Sequence, residues 1–234
     1  MNRTVRRTKS APHGGFQGFA RETSQFLSEL SKNNNKPWFD KNKDRFKSCV
    51  ERPANDFASA FCERLRSAFP GMERVAGKIF RIYRDTRFSK DKSPYKTHIG
   101  IRFGEDEAKG CAAPFFYVQV EADRLWLVTG QKEFEKDALE RFRNSVLDPV
   151  RGRELEKITG RLENAGLALQ GEQYQNVPRG HDENHKRAEL LKRKGLYVET
   201  DRSSPEDLYG PGFVDFCLRQ FATGKPLYDW LRSL

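Results

Sequence analysis

Four strand-like segments follow one another in the middle of the chain, with short links between them. They cover about residues 77–84, 96–103, 114–121 and 124–129. The second segment alternates most clearly, with Ile99, Ile101 and Phe103 on one face. Consecutive strands with short links pair antiparallel, because a parallel pair needs a long crossover connection. The central region therefore predicts an antiparallel meander.

Apolar residues recur at helical spacing on both sides of these strands. The predicted helices cover about residues 20–32, 36–49, 53–68, 133–147, 148–165, 182–194 and 212–234. Residues 167–169 and 196–198 are predicted as short additional strands. This order predicts an α+β fold in a single domain, residues 16–234, with an antiparallel sheet of about four to six strands flanked by N- and C-terminal helices.

Half of the net positive charge of the chain lies at its N-terminal end. The formal net charge is +10 for 234 residues, and residues 1–21 contribute five basic residues and no acid. We expect residues 1–15 to form a basic, flexible tail. Because the remainder carries only the other half of the excess, net charge alone is weak evidence for nucleic-acid binding.

The four cysteines lie at positions 49, 62, 111 and 217 and form no C-x-x-C pair. No apolar run approaches the length of a membrane span. These features predict a cytoplasmic protein with reduced thiols, without a membrane partner, a metal site or a cofactor.

The connection between the first two strand-like segments is unusually charged. Residues 77–103 contain eight basic residues but only two acids, Asp85 and Asp91. Basic and hydroxyl side chains suited to a phosphate or another anion are Arg81, Arg84, Arg87, Lys92 and Tyr95. The alternative is that Asp85 and Asp91 pair with neighbouring cations, so that the connection is a solvated ion-pair cluster that fixes its own shape.

Alternation places His98, Gly100 and Arg102 on one strand face that has no apolar member. We expect Arg102 at the wall of the same site, with His98 or Asp85 as a candidate catalytic base. The alternative is an ordinary solvent-facing side of an antiparallel sheet.

Three functions fit these residues. The first is a sheet-based pocket for a phosphate-bearing or other anionic small molecule, with or without catalysis. The second is a nucleic-acid-binding module that uses the same basic surface together with the tail. The third is a non-catalytic interaction protein. No feature of the sequence specifies an oligomeric state.

The charged connection also resembles a family pattern. The pattern is Arg81-x-x-Arg84-Asp85-x-Arg87-Phe88-x-x-Asp91-Lys92-x-x-Tyr95. It is similar to that of an uncharacterised, mainly bacterial family, domain of unknown function 2461. Further similarity lies at Phe16-x-Gly18-Phe19, Pro178-x-Gly180 and Pro226-Leu227-x-x-Trp230-Leu231. The resemblance implies a bacterial-type protein of about this length, and it transfers no catalytic residue.

Overall fold

The computed structural model describes residues 15–105 and 113–234, so most of the predicted tail lies outside the described residues. The helices are α1 (Arg21–Lys32), α2 (Lys36–Lys41), α3 (Lys43–Phe46), α4 (Arg52–Ala68), α5 (Lys136–Leu147), α6 (Arg151–Asn164), α7 (Ala188–Leu191) and α8 (Phe213–Arg232). The strands are β1 (Ala76–Ile79), β2 (Ile99–Gly104), β3 (Phe115–Val120), β4 (Arg124–Gln131), β5 (Leu169–Gln170) and β6 (Leu196–Ser203). A π-helical turn, Lys47–Glu51, joins α3 to α4, and Glu206–Tyr209 is a 3₁₀ turn.

The strands form one six-stranded sheet in the order β1-β2-β3-β4-β6-β5. Every neighbouring pair is antiparallel. The predicted α+β fold, with helices before and after an antiparallel sheet, is confirmed. Strand β6 is distant in sequence but pairs with β4 along eight residues, Arg124 to Gln131, which extends the predicted meander.

Helices α4 and α8 pack on one face of the sheet. Phe61 of α4 contacts Phe103 of β2, with ring centroids 4.8 Å apart. Phe221 and Tyr228 of α8 both contact Phe116 of β3, at 4.6 and 4.7 Å. Alternate residues of the same strands, such as Arg102, Tyr117 and Trp126, point away from these helices. We call this second side the open face.

Helix α8 belongs to both hydrophobic clusters of the described chain. Its first half and Tyr228 join the cluster formed with α1, α4 and β1–β4. Leu227, Trp230 and Leu231 join the second cluster, formed with α5, α6, α7 and β6. The helix lies close to the sheet at Gly224, where an added Cβ would lie 2.8 Å from the Thr129 side chain.

A capping residue explains where α2 begins. Asn35 begins α2, because its side chain accepts a hydrogen bond of 3.0 Å from the Trp38 N–H, and Pro37 occupies the first turn.

The predicted helix over residues 182–194 is wrong, since only Ala188–Leu191 is α-helical. The Asp182 carboxylate accepts the Asn184 N–H, two residues later. That local bond stabilises a turn in place of a helix start.

The sequence predicts neither a membrane-spanning helix nor a metal site. Within the described ranges, no helix combines the length and apolar character that a bilayer crossing requires. In the same residues, no group of three or more His, Cys, Asp or Glu side chains is placed to hold a metal ion. Cys49, Cys62 and Cys217 are buried free thiols, and Cys111 lies outside the described residues.

Two helical glycines give a matched test of the packing of α8. Gly224→Ala adds a methyl group against Thr129, whereas Gly160→Ala on α6 meets nothing within 4 Å. We expect Gly160→Ala to stabilise the protein by up to about 1 kcal/mol through helix propensity. Gly224→Ala should be less stable than Gly160→Ala by about 1–3 kcal/mol, because overpacking opposes the same gain. Urea unfolding of both variants measures the difference, and equal stabilities would contradict the close approach.

Candidate functional site

Residues 84–95, which we call the charged loop, are closed at their base by backbone pairing. The Arg84 N–H donates to the Pro94 carbonyl at 2.9 Å, and Tyr83 pairs with Tyr95 as an antiparallel bridge. Inside the loop, Arg84 pairs with Asp91 and donates to the Ser93 hydroxyl at 2.8 Å. The hydrogen-bond partners of the Arg84 guanidinium therefore come from the loop itself.

The second ion pair of the charged loop joins Arg87 to Asp85 at 2.7 Å. The Arg87 side chain is 76% exposed, so the pair lies in solvent. Hydrogen bonds from Arg87 hold the pKa of Asp85 below its usual value. A carboxylate with a lowered pKa is a weaker base, which makes Asp85 a poor general base in this conformation.

Lys92 and Tyr95 also have structural partners. The Lys92 ammonium donates to the Thr86 carbonyl at 2.9 Å. The buried ring of Tyr95 stacks on Phe39, with ring centroids 4.1 Å apart. Asn34 bonds both backbone groups of Tyr95, at 2.9 and 3.0 Å, so it acts in place of a neighbouring strand. The Asn34 contribution did not follow from the sequence, because its partner is distant in the chain.

An irregularity before β2 separates His98 from Arg102. Ile79 pairs with Ile101 and Tyr83 pairs with Tyr95. Residues 79 and 83 are four positions apart, whereas their partners, residues 101 and 95, are six positions apart. The second strand therefore holds two additional residues, and Thr97 and His98 lie in a bend. Bulges of this kind re-aim side chains, so the expected common wall of His98 and Arg102 is not formed.

His98 instead lines a cavity of about 320 Å³ at the β1 edge of the sheet, which we call the edge cleft. Its lining comes from α2, α3, the π-helical turn, α4 and the edge of the sheet: Phe39, Lys43, Phe46, Lys47, Val50, Glu51, Ala54, Asn55, Ile79, Phe80, Arg81, Ile82, Tyr83, His98 and Ile99. Of the predicted site residues, only Arg81 and His98 meet here. Burial lowers the pKa of His98, which favours its neutral form.

Arg102 lines a different cavity of about 250 Å³ on the open face, which we call the open-face cavity. The lining side chains are Phe80, Lys96, Arg102, Phe115, Tyr117, Trp126, Val128, Lys132 and Tyr197. Phe80, Tyr117 and Trp126 form a row, with ring centroids 6.1 and 5.6 Å apart. Gly100 makes room for this row, since a Cβ there would lie 2.4 Å from the Tyr117 hydroxyl.

The cations of the open-face cavity lie beside its aromatic rings. The Lys96 ammonium is 5.4 Å from the centre of the Phe80 ring, and the Arg102 guanidinium is 5.6 Å from that of Phe115. Burial lowers the pKa of Lys96, with a further contribution from Arg81. Neither Lys96 nor Lys132 forms an ion pair with a described carboxylate.

The structure thus distributes the predicted site residues over three places instead of one concavity. Arg84, Asp85, Arg87 and Lys92 form the charged loop; Arg81 and His98 line the edge cleft; Arg102 lines the open-face cavity. Tyr95 is buried beside Phe39. The aromatic residues of the open face were not among the predicted site residues. Their signal was the alternation that puts Phe115, Tyr117 and Trp126 on the strand face opposite the apolar core.

Arg84 and Arg87 provide a charge-matched test of the charged loop. Arg84 is 27% exposed and bonds both Asp91 and Ser93, whereas the Arg87 pair lies in solvent. We expect Arg84→Gln to lower the melting temperature by no more than about 2–4 °C, and Arg87→Gln to leave it unchanged. Thermal unfolding at one ionic strength measures both. A stability gain in Arg84→Gln would indicate an uncompensated, ligand-serving arginine instead.

His98 predicts a pH dependence of stability. Its folded-state pKa lies below the unfolded value because burial disfavours the charged form, an effect that Lys96 and Arg84 reinforce and Glu121 opposes. The unfolded chain therefore binds the proton more readily, and stability falls as the pH drops below about 6.5. We expect His98→Gln to show a smaller loss between about pH 7.5 and 5.5. Parallel pH profiles for the variant and the wild type would contradict this assignment.

Comparison with known proteins agrees with the resemblance of the charged connection. A family model described as a conserved hypothetical protein (DUF2461) matches residues 22–230. A search of curated proteins finds no match. Because the family model covers nearly the whole chain, the protein belongs to the DUF2461 family.

Proposed function

We propose that the protein binds a phosphate-bearing ligand with an aromatic ring, about the size of one nucleotide, in the open-face cavity. The observation that carries this proposal is that Lys96 and Lys132, which form no ion pair with a described carboxylate, line the same cavity as several aromatic rings. The described lining contains no carboxylate. An anion is the ligand that such a lining attracts.

The position of Lys96 strengthens the case for an anion. Its ammonium group is partly buried beside Phe80, and its lowered pKa reflects the cost of removing its charge from water. A bound phosphate would offset that cost through charge-assisted hydrogen bonds. Lys132 is exposed and lines the same cavity, so it is the second cation that we expect to contact the ligand.

The aromatic residues select for a flat ring. Tyr117 and Trp126 are partly exposed, and Phe80 is 36% exposed, so their rings are accessible. Nucleic-acid bases stack on aromatic side chains with little dependence on sequence. The volume of about 250 Å³ lies just below the range of about 300–1,000 Å³ that is usual for small-ligand pockets, which favours a ligand no larger than one nucleotide.

Single-stranded nucleic acid is the second candidate, and the same aromatic row supports it. The cavity encloses space for one nucleotide, so a longer strand would need further contacts on the open face. Exposed cations near this face include Lys78 on β1 and Arg124 on β4, but Arg124 is paired with Asp201. The limited number of unpaired cations favours the small ligand. Catalysis is not part of the proposal, since Asp85 and His98 lie outside this cavity.

Calorimetric titration with adenosine 5′-monophosphate, adenosine and inorganic phosphate tests the proposal. We expect the monophosphate to bind more tightly than either half alone, because only it contacts both rings and cations. Lys96→Ala and Lys132→Ala should each weaken its binding about tenfold, the effect of one charge-assisted hydrogen bond. Lys136→Ala is the matched control, since Lys136 is an exposed lysine nearby that does not line the cavity.

Two further measurements separate the alternatives. Trp126→Phe should abolish any fluorescence change on titration, because Trp38 and Trp230 lie outside the cavity. Oligothymidylates of increasing length should gain little affinity beyond one nucleotide. Affinity that rises with length and falls steeply with salt would favour nucleic acid instead. Equal losses in Lys132→Ala and Lys136→Ala would contradict a site in the open-face cavity.

A further inference from the structure

We propose that the edge cleft is a second binding site, which takes an extended acidic segment of a partner protein as an added strand beside Arg81 and Tyr83. The inference does not depend on the proposed function of the open-face cavity. The two sites lie on opposite sides of the edge segment, residues 79–83, and of their described linings they share only Phe80.

Unused backbone groups at the sheet edge are the first observation. Phe80, Ile82 and Arg84 bond across to residues 100, 96 and 94. The intervening residues, Arg81 and Tyr83, are exposed, and their backbone groups form no hydrogen bond with the described residues. On the other side of the Tyr83–Tyr95 bridge, Asn34 satisfies the outward groups of Tyr95. An edge with free N–H and C=O groups is a template for another strand.

Apolar walls beside this edge are the second observation. Phe46 and Val50 line the cleft from the helical side, and Ile79 and Ile82 line it from the sheet. In an added strand, alternate side chains point the same way. Backbone pairing with the edge then places every second side chain in the cleft, which is how grooves between a sheet edge and a helix recognise extended peptides. An acyl chain would fill the walls but leave the backbone groups unused.

Charge determines which peptide fits. Lys43, Lys47 and Arg81 line the cleft against one acid, Glu51. Lys47 has only an exposed contact of 3.5 Å with Asp44, which screens it weakly. The N-terminal segment of the chain itself is basic, and a second copy would bring the same cations to face these. Repulsion disfavours both the N-terminal segment and a second copy of the chain, so the occupant is an acidic segment of a different protein.

Calorimetry with three synthetic peptides tests the proposal. The first, of about eight residues, carries Val and Glu in turn at every second position with Thr between them, so that both kinds of side chain can enter the cleft; the second replaces each Glu with Lys; the third keeps the first sequence but carries N-methyl groups on alternate amides. We expect only the first to bind, with an affinity that decreases as salt is raised. N-methylation should reduce binding at least about tenfold, because it removes the hydrogen bonds of the added strand.

Two variants of Arg81 separate charge from backbone pairing. Arg81→Ala removes the charge alone, and we expect moderately weaker binding of the Glu–Val peptide. Arg81→Pro also removes the outward N–H, which edge strands tolerate, and should abolish binding. Because Arg81 does not line the open-face cavity, both variants should still bind adenosine 5′-monophosphate, so failure at one site is distinguishable from failure at the other. If Arg81→Pro does not fold, the N-methylated peptide decides the same point.

Three results would overturn the inference. Equal binding of the methylated and unmethylated peptides would exclude strand addition. If decanoate displaces the Glu–Val peptide and binds Arg81→Pro as tightly as it binds the wild type, the cleft is an acyl-anion site instead. Concentration-dependent dimerisation that Arg81→Pro abolishes, measured by sedimentation, would identify a second copy of the chain as the occupant.

Discussion

The contact between α8 and the core face of the sheet is the interaction on which the rest of the structure depends. Gly224 lets the helix approach Thr129 of the central strand β4 closely. From that contact, Phe221 and Tyr228 reach Phe116, while Leu227 and Trp230 reach the second cluster. One helix therefore contributes to both hydrophobic clusters, and no helix of the described residues covers the opposite face of the sheet in this way. Both proposed sites use sheet surface that this arrangement keeps accessible.

The irregular pairing at the β1 edge then divides that surface. Two additional residues before β2 turn His98 toward α4, while Lys96 and Arg102 stay on the open face. Because the π-helical turn contributes Lys47, Val50 and Glu51 to the same cleft, irregular backbone lines both sides of it. Departures of this kind from regular helix and strand are frequent at functional sites.

Local sequence patterns predicted the individual helices and strands better than the way in which these pair and pack. The alternation of Ile99, Ile101 and Phe103 predicted β2 and its core face, and the predicted helix start at residue 36 agrees with α2. The bulge at His98 could not be predicted, because it exists only relative to the pairing of residues 79–83. The position of Tyr197 could not be predicted either, since α5, α6, β5 and α7 separate β6 from β4 in the chain and local patterns do not reveal their pairing.

For charged residues, too, the local sequence pattern differs from the arrangement in the folded protein. The densest charges of the sequence lie in the charged loop, where Arg84 and Arg87 are paired with Asp91 and Asp85. A cation that is already paired with a carboxylate offers little net attraction to a further anion, and the exposed pairs contribute little to stability. Lys96 has fewer charged neighbours in sequence but no carboxylate partner in the described structure. Charge density along the chain therefore indicated where the backbone is shaped by ion pairs, whereas the binding that we propose relies on Lys96 and Lys132, which have no carboxylate partner among the described residues.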